Sequence, residues 1–270
     1  MNVKARVLSV AAVAALVVMA AHPVFAQEEE DLAKKLANPV ASLISVPIQA
    51  NYDESIGPDE DGSAWRINVQ PVIPISFNEN WNLILRTIFS IIDQDDIPVD
   101  GKGESGIGDT VQSLFFSPKE PTSRGVIWGV GPVFLIPTAS DRMLGTEKWG
   151  IGPTAVALKQ SGPWTYGVLV NHIESFVGDS DRAYVSATFL QPFLSYITKT
   201  KTTIALNTES TFDWSEDEWS VPINLTVSQL LKVGKLPFQI GVGARYWADS
   251  PDNGPEGWGA RVQLTFLFPK

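Results

Sequence analysis

From residue 40 onward the side chains alternate between apolar and polar in about twelve segments of roughly ten residues, the side-chain period of a β-strand. The spacing predicts strands over 42–52, 64–75, 81–92, 107–117, 125–137, 149–160, 164–177, 183–198, 202–213, 219–231, 238–247 and 257–268. In the second, Trp65, Ile67, Val69, Pro71 and Ile73 share one face, and Arg66, Asn68 and Gln70 the other. The tenth sets Trp219, Val221, Ile223, Leu225 and Val227 against Ser220, Asn224, Thr226 and Ser228. The last opposes Val262, Leu264, Phe266 and Phe268 to Arg261, Gln263 and Thr265. Strands five to eight alternate less cleanly, with Gly129, Gly131, Gly150, Gly152 and Gly167 where polar residues are expected. Small residues facing a lumen would explain them, and so would a reversed face assignment.

The connections are expected to switch strictly between short and long. Short turns lie at Asn78-Glu79-Asn80, Pro118 to Ser123, Ser161-Gly162, Lys199 to Lys201 and Gly234-Lys235. Longer loops occupy 53–63, 93–106, 138–148, 178–182, 213–218 and 248–256, the fourth of them short against the pattern, and hold 21 of the 30 acidic residues. Their basic residues are only Lys102, Arg142, Lys148 and Arg182. A meander with two chemically different rims predicts an all-β fold, an antiparallel up-and-down transmembrane β-barrel of about twelve strands. An even strand count puts both termini on the short-turn side, the periplasmic side in bacterial barrels. The acidic loops would then lie outside the cell, facing lipopolysaccharide. Simple solvation is one use for their charge, and binding divalent cations, which carboxylates suit, is another.

The chain's beginning supports the same location, the bacterial outer membrane. Lys4 and Arg6 precede an apolar run, and Val24-Phe25-Ala26 offers small residues before Gln27, so residues 1–26 read as a cleaved signal peptide. Residues 27–40 (QEEEDLAKKLANPV) read as a charged periplasmic leader, most simply a flexible tail and otherwise a plug, with the barrel over 41–270. After residue 26 the chain has 18 basic and 30 acidic residues, which argues against nucleic acid as a partner. It has no cysteine, so disulfide scaffolds and thiolate metal sites are excluded. No cofactor or metal site is expected. GKGESGIGD lacks the spacing of a phosphate loop and lies among acidic residues. Outer-membrane lipid and a small-molecule solute are the expected partners.

All nine tryptophans fall near expected strand ends, as interfacial girdles require. Seven prolines (Pro47, Pro71, Pro74, Pro132, Pro153, Pro192 and Pro222) fall inside strands, where each removes a ladder hydrogen bond. Bulges or bends at related positions would accommodate them.

With apolar faces toward lipid, Arg66, Arg86, Arg245 and Arg261 point inward, because arginine at the lipid midplane costs roughly 2–4 kcal/mol. They come from strands that flank the first in a closed barrel, whose own inner face carries Gln49 and Asn51. Glu209 faces in beside Asn207 and Thr211, with Asp109 a further candidate. A basic wall opposite carboxylates would set a transverse field that orients solutes. The alternative is that these residues pair and fill the barrel, since twelve strands lie between filled and open sizes.

The segments LANPVASLISVPIQANYD, WRINVQPVIPISFNENWNLILRTIFSII, GIGDTVQSLFFSP, WGVGPVFLIPTASD, GPTAVALKQSGPWTYGVLVNHIESF, FLQPFLSYITKT and RYWADSPDNGPEGWG resemble the outer-membrane transporters grouped as the MetA-pathway of phenol degradation family. Relatives sometimes carry the hormone name neuromedin U, which nothing in this chain supports. The resemblance spans nearly all of the chain after residue 26. It implies a barrel for small solutes, with aromatic ones as candidates, and supplies no binding motif; passage by passive diffusion is this chain's leading expectation. A closed barrel with a structural or surface-binding role is the alternative. An outer-membrane phospholipase is a third, but its H-x-S pair is absent. His172 is followed two positions on by Glu174, and only Ser186 on the next strand could approach it. No catalytic residue is therefore expected. The chain also ends Phe268-Pro269-Lys270 rather than on an aromatic residue.

Overall fold

The computed structural model describes residues 26–98, 101–234 and 236–268. The expected signal segment lies, up to residue 25, outside them. A helix, α1 (Ala26–Leu36), precedes a sheet that closes on itself. Its strands are β1 (Ile44–Ile56), β2 (Gly62–Val69) continued by β3 (Val72–Ser76), β4 (Trp81–Asp95), β5 (Gly103–Ile107) continued by β6 (Thr110–Pro118), β7 (Val126–Ile136), β8 (Lys148–Ser161) and β9 (Trp164–Gly178). They go on through β10 (Ser186–Ile197), β11 (Thr202–Thr208) continued by β12 (Ser210–Asp213), β13 (Glu218–Val233), β14 (Leu236–Asp249) and β15 (Gly257–Phe268). With the three broken strands counted once, this is a closed antiparallel barrel of twelve strands. Closure runs from Ile44 opposite Phe268 to Tyr52 opposite Ala260.

Each expected strand has its counterpart, and the last agrees to the residue. The long-loop ends differ most. β1 runs on through Asp53 and Glu54, and β4 through Asp93 and Asp95. Charge ended these strands in the sequence reading, yet backbone pairing continues past the lipid: Asp53 faces Ala64 and Asp93 faces Trp65. The length alternation is not strict either. The turn over 119–125 is longer than the loop over 214–217. The chemistry of the two rims, rather than loop length, distinguishes them.

The outer surface is apolar where it must face hydrocarbon. Ile73, Ile75, Ile204, Leu206, Ile223, Leu225, Val227, Ile240 and Val242 are all exposed, a continuous surface that only a bilayer accounts for. Aromatic contacts mark both boundaries. Trp81 meets Trp128 and Trp164 meets Tyr196 at the short-turn rim. Tyr52 meets Trp65, Tyr246 meets Trp258, and Phe212 lies between Trp214 and Trp219 at the other. At the short-turn rim the Asn78 side chain accepts from the amides of Asn80 and Trp81, a side-chain mimic of a backbone turn.

The interior is less polar than alternation predicts. Val72, Ile84, Phe115, Val156, Leu158 and Leu169 point inward and pack with Val40 of the leader. Val133, Leu135 and Ile173 form a second cluster nearer the loops. The glycines of strands five to eight make this possible, and they face the lumen. A Cβ on Gly129 would press on Phe115 and Val40, and one on Gly150 would lie 2.6 Å from Ile173.

The prolines also find their place. Pro47 and Pro71 lie where the β1 ladder passes from β2 to β3, between the pairs Ile48–Val69 and Ser45–Val72. Pro132 faces Pro153 directly. The ladders on either side of that pair are open, between Ser113–Val133 and Phe116–Val130, and between Ile151–Glu174 and Thr154–Asn171. Pro192 and Pro222 bracket the break between β11 and β12, and a register shift falls at Val221/Pro222. Pro74 lies beyond the end of β1. Missing amide donors thus coincide with missing ladder bonds.

The leader departs from the flexible-tail expectation. α1 sits in the short-turn end of the barrel, with Ala33 only 1% exposed and packed with inward-facing Ile197, Leu230 and Leu267. Leu32 and Leu36 pack on the same cluster. Gln160 donates to the Lys34 carbonyl at 2.8 Å. Lys201, from the turn after β10, lies 3.0 Å from Glu30, which also pairs with Lys34 at 2.9 Å.

Candidate functional site in the barrel lumen

Above the end that holds α1, the inward positions of β1, β2, β4, β14 and β15 and the β11–β12 break build a layer of charge. Glu209 occupies that break, where the flanking Pro192 and Pro222 leave the ladder incomplete. Arg261 grips both its oxygens, Nη1 to Oε1 at 3.1 Å and Nη2 to Oε2 at 2.7 Å. This two-pronged match is the strong geometry for guanidinium and carboxylate. Arg261 Nε donates to Asn51 Oδ1 at 2.7 Å, and its side chain is almost wholly buried.

Arg245 lies 2.9 Å from Asp53 and 3.7 Å from Glu209. Its guanidinium stacks 4.7 Å from the Trp247 ring centre, and the Trp247 indole donates to Asp53 at 2.8 Å. Trp247 therefore points inward and leaves the girdle expected of it. Arg86 donates to Gln70 at 2.9 Å and lies within electrostatic reach of Glu209. Arg66 feels Asp53 and Arg245 but is exposed to the lumen.

Arg66, Arg86, Glu209, Arg245 and Arg261 thus share one layer. The layout differs from a wall facing its opposite. Glu209 is clasped by two arginines, so its field is spent locally. Asp53 and Trp247 are members that sequence reasoning missed. Both could have been found by carrying the period of two onward from Gln49 and Asn51, and from Arg245. Asp109 does not join them. It accepts from the amides of Ala139 (3.2 Å) and Thr146 (2.7 Å) and from the Thr146 hydroxyl (2.7 Å), pinning the loop over 137–147.

That loop buries Leu144 beside Gly106 and Gly108. Arg182 donates to the carbonyls of Arg142, Gly145 and Thr146. Glu147 lies 3.1 Å from Arg142 and 3.5 Å from Arg182. Several loop acids are therefore engaged within the chain. Among the described residues, no three of His, Cys, Asp or Glu converge to hold a metal.

On the outer surface, His172 meets Thr188 Oγ1 at 2.9 Å and Glu174 at 3.3 Å. The Trp214 indole donates to the same hydroxyl at 2.8 Å. Ser186 lies opposite Glu174 in the ladder, two positions from Thr188, and makes no pair with His172.

A closed sheet, apolar outside and charged within, bounded by two aromatic rims, defines a bacterial outer-membrane β-barrel. No protein-family profile matches the chain, and no curated protein matches it. Among solved structures it is similar to the COG4313 outer membrane channel from Pseudomonas putida F1, with a TM-score of 0.65, 15% identity, and coverage of 84% of this chain and 94% of that one. Outer membrane phospholipase A from Escherichia coli aligns at a TM-score of 0.49 and 10% identity, over 89% of this chain and 98% of that one. OmpT, an outer membrane protein of Vibrio cholerae, aligns at 0.39 and 9%, over 84% and 98%. At such identities the likeness is one of fold.

Proposed function

We propose that this barrel is an outer-membrane channel for small solutes, passive and non-enzymatic, with α1 as its movable plug. One observation carries the reading: the lumen is incompletely filled. A cavity of about 230 Å³ lies between the end of α1 and the charged layer, and Arg66 stands exposed in that layer. A barrel built only for rigidity would close such space. The fold shared with the Pseudomonas putida channel and the resemblance to the MetA-pathway of phenol degradation transporters support it. In this reading the short-turn rim is periplasmic and the acidic loops lie among lipopolysaccharide, where divalent cations would bridge them.

Single-channel recording on the refolded protein in planar bilayers tests this. The unaltered chain should open intermittently, and Lys201→Ala, which removes the contact to Glu30, should raise the open fraction. Silence from both proteins would leave the second reading, a closed barrel with a structural or surface-binding role. The apolar clusters that fill one side of the lumen favour that alternative.

A further inference from the structure

The cavity beneath the charged layer has two unlike walls. One carries Leu169 and Phe193, part of the inward apolar cluster. The other carries Arg86, Gln70 and Arg261, with apolar Val72 directly beside Arg86. We propose that this cavity binds a small amphipathic monoanion, a single carboxylate on an apolar body of about one ring, as a solute in transit. The proposal rests on the channel reading and names its substrate class.

The argument begins with charge pairing. Four guanidiniums share the layer with two carboxylates, Asp53 and Glu209. Arg245 and Arg261 take both carboxylates. Arg86 keeps one neutral partner, Gln70 Oε1, and a guanidinium has five N–H donors. Among the described residues its remaining donors have no further hydrogen-bond partner, at the edge of a cavity whose described lining adds Lys35 and one carboxylate, Glu209. Both Glu209 oxygens are already held by Arg261. The local balance therefore favours an anion, and the planar fork of arginine matches a carboxylate in particular.

The apolar wall supplies the second requirement. Val72 is the direct ladder partner of Arg86, so a ligand on the guanidinium touches hydrocarbon at once. A small inorganic anion would leave that wall against water. A neutral apolar solute would desolvate Arg86 without replacing its hydrogen bonds. A cation would meet Arg86 and Lys35. The volume lies just below the usual range for drug-sized ligands, roughly 300–1,000 Å³, which limits the occupant to about one ring.

Calorimetric titration of the full chain in detergent micelles tests the site, with benzoate, benzyl alcohol, benzylamine and acetate as probes. Benzoate should bind saturably, at least tenfold more tightly than any of the other three. Arg86→Gln should weaken benzoate at least tenfold, and Phe193→Ala should weaken benzoate but not acetate. If Arg86→Gln fails to fold, Arg86→Lys takes its place: the charge without the fork should still lose several-fold. Equal binding of benzoate and benzyl alcohol, or undiminished benzoate binding by both Arg86 variants, would overturn the proposal. Because the titration needs no current, the two readings fail separately. Conductance without benzoate binding removes the site alone, and binding in a silent barrel removes the channel alone.

Discussion

Glu209 is where the lumen's charges meet, and its neighbours define what each should do when changed. Two arginines depend on it, one of them held through both oxygens. Glu209→Gln leaves Arg261 buried with an uncompensated charge, and removing one partner of such a pair costs about 3–5 kcal/mol. Urea unfolding of the barrel in lipid vesicles should register that loss. An unchanged midpoint would show that the pair contributes nothing. Arg66 is the contrasting case, being exposed to the lumen. Arg66→Glu should turn ion selectivity toward cations in reversal-potential measurements while barely moving the unfolding midpoint. If selectivity stays put, ions do not pass this layer. Arg245→Glu is a poorer probe, because it would set a third carboxylate against Asp53 and Glu209. At this scale the sequence is informative, since the parity of alternate residues aims all five site residues inward. It stops short at Asp53 and Trp247. A carboxylate after a strand looks like loop, and a tryptophan near a rim looks like girdle, until a partner arginine is seen beside them.

Among the elements, α1 is the one that sequence reasoning underrates. QEEEDLAKKL is mostly charged, and its apolar residues, Leu32, Ala33 and Leu36, are too few to signal a buried face. Their partners, Ile197, Leu230 and Leu267, are inward apolar residues on three separate strands, a convergence that only the closed barrel produces. The contacts of Glu30 make the docked helix sensitive to acid. Hydrogen bonds from Lys34 and Lys201, with their charges, hold its carboxyl at about 2 instead of 4.5. A lowered carboxylate pKa stabilises the docked state above the free value and loses that contribution as pH falls toward the docked one. Lys34 lies on α1 itself and acts whether or not the helix is docked, so only the Lys201 contribution is linked to docking. If the barrel conducts, its open fraction should therefore be flat above pH 4.5 and rise modestly as pH falls from there toward about 2. Glu30→Gln should abolish the rise. A pH response that survives this substitution would assign it to another group. The proline-marked breaks teach the same lesson about elements. Each proline is visible in the sequence, but the pairing of Pro132 with Pro153, or of Pro192 and Pro222 around Glu209, exists only once strands are in register.

For the whole molecule, the decisive contrast lies between the two faces of one strand. Leu225 is exposed on the outer face near the middle of β13, and its neighbour Thr226 lines the cavity. If hydrocarbon surrounds the barrel, an arginine at Leu225 enters lipid near its midplane, at a cost of roughly 2–4 kcal/mol. At Thr226 it enters a polar lumen with space beside Gln239. Unfolding in vesicles should show the larger loss for Leu225→Arg and a much smaller one for Thr226→Arg. The reverse order would mean that the exposed apolar belt does not face lipid. The comparison depends on neither the solute nor the plug. It also separates this barrel from a soluble sheet, where the outward leucine would tolerate the charge and the inward threonine would not. The alternation that makes both positions readable from sequence is the same property that makes the experiment sharp: adjacent residues, one step apart on the chain, sit in solvents of opposite character.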